Sequence, residues 1–218
     1  MKLKLATALF AAITLVPAAN AATTQITGGS GQRALGITFF DPLGQTFTAT
    51  DTDLQSFGFQ INTLNPGSPN SAITFSLLNG AGFNGSVLAT RSVTFAGVPA
   101  TRDPTWIDFD LTGTKLVAGQ SYTALLTTTS SRYGLIFGPD INIFTGQALG
   151  GDAYAGGSFI ATGQNDATCN RGICDANFRF TAVTPAAVPE PATWAMMIGG
   201  FGLAGGALRR RATSVTFA

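Results

Sequence analysis

Between residues 22 and 183 apolar side chains recur at every second position, and a pleated strand is the backbone that turns such a pattern into one buried face. Phe57, Phe59 and Ile61 alternate with Ser56, Gly58 and Gln60; Ile73, Phe75 and Leu77 alternate with Thr74 and Ser76. Ile107, Phe109 and Leu111 alternate with Trp106, Asp108 and Asp110, and Phe178 and Phe180 with Asn177, Arg179 and Thr181. Turn-forming clusters, NPGSPN at 65–70 and NGAGFNG at 79–85, punctuate these runs. No sustained helical stripe and no internal repeat interrupts the pattern. The expected fold is all-β, a single antiparallel β-sandwich over residues 22–183.

That span of about 160 residues suffices for one domain with a substantial core. Its seven positive side chains (Arg33, Arg91, Arg102, Lys115, Arg132, Arg171, Arg179) face ten aspartates, a net of about −3. The whole-chain value of +1 arises because Lys2, Lys4, Arg209, Arg210 and Arg211 lie outside the domain. Nothing in this distribution makes a basic nucleic-acid footprint, so no nucleic-acid partner is expected. Abundant Gly, Thr and Ser with almost no Lys or Glu describe a neutral, hydroxyl-bearing β surface.

The chain has no histidine, which removes Ser-His-Asp and Cys-His catalysis and the commonest nitrogen ligand of zinc. Its only glutamate is Glu190, so a carboxylate pair for glycoside hydrolysis must come from aspartates. Asp51 with Asp53, and Asp108 with Asp110, stand two apart and share a face if extended. Solvated or turn-bonding aspartates are the first reading of both pairs; a calcium site or an aspartate-dependent polysaccharide hydrolase is the alternative. No catalytic residue, metal or cofactor is assigned, and the chain is not expected to be an enzyme. Trp106, Asp108 and Asp110 form the candidate carbohydrate-binding set, an aromatic plate beside hydrogen-bond acceptors, against the alternative that Trp106 packs on the edge of the core. Tyr133 and Tyr154 are expected to lie in glycine-rich loops and are candidates for a loop-end site. Cys169 and Cys174 flank Asn-Arg-Gly-Ile and are expected to form a disulfide closing a short loop ahead of the Phe178 strand.

Both ends of the chain read as targeting segments. Lys2 and Lys4 precede an apolar run from Leu5 to Val16, which Pro17 breaks before Ala19-Asn20-Ala21. Small residues at Ala19 and Ala21 predict a secretory signal peptide over 1–21, cleaved after Ala21. At the other end, residues 184–188 form a Pro/Ala linker, and Pro189-Glu190-Pro191 opens an uncharged stretch that stops at Arg209, Arg210 and Arg211. Ala192 to Leu208 as a helix would be roughly 25 Å long at about 1.5 Å per residue, short of the roughly 30 Å of a bilayer core. The expectation is one transmembrane helix helped by Trp194 at one interface and by the arginines on the cytoplasmic side, with 212–218 a cytoplasmic tail.

The order Pro189, Glu190, Pro191, Trp194, Ala195, apolar span and basic stop resembles the PEP-CTERM sorting signal of Gram-negative bacteria in its PEPxxWA variant. That resemblance implies an exosortase-type processing enzyme as partner, contact with the membrane through the C-terminal helix, and a route through the inner membrane. A membrane-anchored intermediate then gives a cell-surface or extracellular product in species that make exopolysaccharide. The segments LGQTFTAT, DLQSFGFQI, ITFSLLNG, GSVLAT, TWIDFDL, KLVAGQSYTALL and DANFRF resemble a jelly-roll module of bacterial secreted proteins, which implies a jelly-roll-like sandwich of carbohydrate-binding architecture. Together they suggest a sorted surface or matrix protein, with polysaccharide as a candidate partner, or a structural or adhesive protein without a sugar site.

Overall fold

The computed structural model describes residues 21–94, 101–164, 169–184 and 191–210. The expected signal segment up to Asn20, linker residues 185–188, Pro189, Glu190, Arg211 and the 212–218 tail lie outside the described residues. One compact unit, Ala19–Pro185, is the sandwich; the C-terminal segment belongs to a second unit.

Among the described residues twelve strands make up the sandwich: β1 (Ala21–Ile26), β2 (Ala34–Gly36), β3 (Leu43–Thr48), β4 (Asp53–Thr63), β5 (Ile73–Asn79), β6 (Val87–Val93), β7 (Thr105–Lys115), β8 (Ser121–Thr128), β9 (Tyr133–Gly138), β10 (Phe159–Ala161), β11 (Asp175–Ala176) and β12 (Phe178–Val183). They form two antiparallel sheets. A seven-stranded sheet runs β1-β12-β4-β9-β11, with β2 on β9 and β7 on β4, and a five-stranded sheet runs β10-β3-β8-β5-β6. Within them, β1-β12-β4-β7 faces β3-β8-β5-β6. Taking those eight strands alone and ranking them by chain position gives first-eighth-third-sixth over second-seventh-fourth-fifth, the double Greek-key wiring of a jelly roll. β9, β10 and β11 are an insertion between the last two of the eight.

The alternation read from the sequence builds the core. Phe57, Phe59 and Ile61 of β4, Ile73, Phe75 and Leu77 of β5, Ile107, Phe109 and Leu111 of β7, and Phe178 and Phe180 of β12 are all buried in one cluster. Phe57 lies 5.1 Å from Phe47 of β3 and 5.6 Å from Phe75 of β5, ring centre to ring centre, so aromatic side chains join the two sheets. Among the described residues, every buried member of this cluster and every strand pairing falls within the Ala19–Pro185 unit, so this unit carries its own core, as a domain able to fold alone does. Gly80 and Gly82, at φ 84° and 96°, supply the left-handed backbone of the turn from β5 to β6.

The second unit contributes one described element, helix α1 (Pro191–Arg210). Proline suits its first position, where an N–H would find no partner. Trp194 is 54% exposed, and Met196, Ile198, Phe201 and Leu203 are exposed along it. No helix among the described residues is long and apolar enough to cross a membrane. That finding corrects the expected transmembrane helix: Gly199, Gly200, Gly202, Gly205 and Gly206 carry no apolar side chain, which dilutes a stretch that is otherwise uncharged.

Candidate functional site

The pairing register places the candidate sugar-binding residues on the outer face of the seven-stranded sheet. Across β12, β4 and β7, Arg179, Gly58 and Asp108 stand in one row, and Trp106 is paired with Gln60 in the next row on that face. A side chain at Gly58 would collide with Oδ1 of Asp108 and lie 2.9 Å from the Ile107 carbonyl oxygen. The bare glycine therefore lets Asp108 and Arg179 meet across β4. Arg179 Nε donates to Asp108 Oδ1 at 2.8 Å, and its terminal nitrogen pairs with Oδ2. The same guanidinium lies over the Trp106 ring, 4.6 Å from its centre. Hydrogen bonding to Asp108 raises the Arg179 pKa. Each part is worth little at a surface, about 0–1 kcal/mol for the ion pair and roughly 0.5–1 kcal/mol for the cation–π contact. Together they form a Trp-Arg-Asp stack that links β7 to β12 across Gly58 of β4.

The three predicted residues share a face but not a partner. Trp106 and Asp108 both engage Arg179, whereas Asp110 Oδ1 accepts from the Thr112 backbone N–H at 2.9 Å, and Thr112 holds Asp110 below the usual carboxylate range. One face of the Trp106 indole is taken by the guanidinium. Trp106 is half-buried on this outer face and is not part of the core cluster.

Asp51 and Asp53 also go separate ways. Asp51 accepts from Thr184 Oγ1 at 2.7 Å, and Asp53 pairs with Lys115. Among the described residues no three Asp, Glu or Cys side chains converge as a metal site requires. The tyrosines are a correction. Tyr133 belongs to strand β9, is fully buried and donates its hydroxyl to Asn70 Oδ1. Tyr154 packs edge-on against Phe178 at 5.2 Å, and its hydroxyl accepts from the Thr48 N–H at 3.2 Å. Burial raises both phenol pKa values. Their rings and hydroxyls are spent inside the fold, so they form no loop-end site.

Cys169 and Cys174 are disulfide-bonded, with Cα atoms 4.9 Å apart. The Cys174 carbonyl accepts from the Phe159 N–H at 2.7 Å, which ties the closed loop to β10.

Sequence reasoning missed a buried polar cluster under the insertion. Asp175 of β11 is 1% exposed; its Oδ1 accepts from Gln45 Nε2 at 2.8 Å, and its Oδ2 from the N–H groups of Ala153 and Tyr154 at 3.1 and 2.9 Å. Burial, together with the nearby Asp152 carboxylate, pushes Asp175 up to about 6. Next to it the Asn177 side chain accepts from the Gly29 N–H at 3.0 Å and donates to Gln60 Oε1 at 2.8 Å. Asp152 and Asp175 are distant in sequence, and no spacing rule connects them. The sole hint is that Asp175 and Asn177 open the segment DANFRF, where polar residues precede a strand whose apolar side chains face inward.

Residues 187–211 match the PEP-CTERM protein-sorting motif. The match covers the C-terminal tail and includes Pro189, Glu190, Pro191, Trp194, Ala195 and the arginines up to Arg211. It marks the chain as an exported protein targeted to exosortase for sorting to the cell surface. No curated protein matches the chain in sequence.

Proposed function

We propose that this chain is a cell-surface or extracellular-matrix protein in which a jelly-roll domain acts as a structural or adhesive module, delivered by exosortase processing of its tail. The observation that carries this reading is the arrangement of parts: a sandwich with its own core followed directly by the sorting motif at 187–211. The reading gives the domain a packing role rather than a catalytic one. It is supported by the engagement of Asp51, Asp53, Asp108 and Asp110 with separate partners inside the fold. Replacing Pro189, Glu190 and Pro191 together by alanine tests it. Delivery to the surface fraction should fall sharply while the domain stays folded; delivery equal to that of the unaltered chain would overturn the reading.

Polysaccharide binding is the second reading, favoured by the exposed face shared by Trp106 and Asp108. A pyranose would have to use the free side of the indole or displace Arg179. Retention of the domain on a glycan array and on the host's exopolysaccharide, compared with Trp106→Ala and Arg179→Ala, separates the two readings. Under the sugar reading Trp106→Ala loses retention and Arg179→Ala changes it; equal retention of all three proteins removes the idea.

A further inference from the structure

The edge of a sheet is a row of unpaired N–H and C=O groups, and proteins blunt it with brevity, charge, proline or a bulge. Most edges of this sandwich are blunted among the described residues. β2 and β10 have three residues each and β11 two. β6 carries Arg91, whose Nε donates to the Asp110 carbonyl of β7 at 2.8 Å, and its register against β5 shifts between Leu77 and Leu78. β7 carries Asp108, Asp110 and Lys115, and its register shifts against β4 between Leu54 and Ser56. β1 has none of these devices. Its six residues, Ala-Ala-Thr-Thr-Gln-Ile, hold no charge and no proline and pair with β12 without a register shift. β1 is the terminal strand of its sheet, with no described strand on its other side.

We infer that the open edge of β1 is a self-association surface, at which β1 of one copy pairs antiparallel with β1 of a second copy and continues the seven-stranded sheet across the interface. A strand that pairs with itself sets its own side-chain charges against each other, and β1 has none to repel; the α-amino group left by the expected cleavage after Ala21 sits at the strand's end, where an antiparallel pair keeps the two copies' termini apart. Thr23 already shows the side-chain pairing such a ladder uses, its hydroxyl hydrogen-bonded to that of Thr181 on β12 at 2.8 Å. A second copy is the occupant because the sorting motif sends every copy to the same surface, a premise that rests on the proposed function. A single strand pair buries less than a standard stable interface of about 1,600 Å², so the association is weak and depends on crowding.

Sedimentation equilibrium of the domain from Ala22 to Thr184 tests this independently of tail processing. The weight-average mass should rise with concentration for the unaltered domain and for Thr23→Val, and stay at the monomer for Thr23→Lys. A domain that remains monomeric into the millimolar range, or a Thr23→Lys variant that associates as the unaltered domain does, overturns the inference. Because Thr23→Lys could loosen β1 itself, amide hydrogen exchange of the unaltered domain provides a second reading. β1 amides should gain protection as concentration rises, and unchanged protection at concentrations where mass increases places the interface elsewhere. The inferred β1 pair has Thr23 of one copy opposite Thr23 of the other, so in producing cells the full chain with Thr23→Cys, whose two native cysteines are already paired, should give a disulfide-linked dimer if the chain is delivered to the surface. Cross-linking absent in cells while the domain self-associates in solution would count against the delivery reading and not against the edge.

Discussion

Acidification should stabilise the sandwich, opposite to the behaviour of a protein held together by paired carboxylates. Asp175 ordinarily titrates near 3.8 and is pushed up to about 6 in the fold by burial and by the Asp152 charge. The folded state thus binds a proton more tightly than the unfolded chain. Stability from this group is lowest above the folded value, rises as pH falls through about 6, and levels off below 3.8. A difference of about two pKa units corresponds to roughly 3 kcal/mol, which solvent screening trims to about 2 kcal/mol between pH 8 and pH 4. Urea denaturation of the domain at several pH values, followed by the fluorescence of Trp106, measures the effect. Burial is the larger cause of the shift, and Asp152→Asn isolates the smaller, like-charge part. That variant keeps an acceptor for the Tyr154 N–H, which Asp152 Oδ1 now receives at 2.9 Å, and removes the like charge. It should be more stable than the unaltered domain by about 1 kcal/mol at pH 8, with the gap closing at pH 4. Two curves that run parallel from pH 8 to pH 4, or an unaltered domain that loses stability over that range, would refute the reasoning.

Three further outcomes follow from the packing. Phe57→Ala removes a ring stacked among Phe47, Phe59, Phe75, Phe178 and Phe180 and should cost about 3–5 kcal/mol in denaturant melts; a loss below about 1 kcal/mol would mean that the sheets are not joined there. Gly58→Ala pushes Asp108 away from Arg179 and presses on the Ile107 carbonyl, so the domain should lose about 1–3 kcal/mol in thermal melts, and Asp108→Ala in that background should cost nothing more. Replacing Cys169 and Cys174 by alanine opens a loop with a sequence separation of 5, and the loss should be about 2 kcal/mol in urea melts, with the fold retained.

The strands legible in the sequence are those with one face in the core. β4, β5, β7 and β12 alternate because their outer faces meet solvent or other polar side chains, and every inward residue read from that alternation is buried. β9 was not legible. Its residues YGLIFG are buried on both faces, since the stretch around Gly28 to Gly31 covers Gly138 and Ile136 from outside, and a strand covered twice has no period to read. Tyr133 therefore looked like a loop residue beside glycine. The shared face of Trp106 and Asp108 was legible from spacing alone. The arrival of Arg179 was not, because it depends on β12 pairing with β4, a register that local spacing does not encode. The same holds for Asp152 and Asp175, which only the tertiary fold brings together. At the tail, the residue order was enough to identify the sorting motif, whereas the membrane span inferred from the absence of charge failed on the glycines of α1.

The mass of the C-terminal peptide of the protein recovered from producing cells, with and without the exosortase gene, tests the central claim most directly. The account predicts that the end bearing Arg209 to Ala218 is missing from the surface form in cells with exosortase and present in cells lacking it. An intact Arg209 to Ala218 end in both would contradict it.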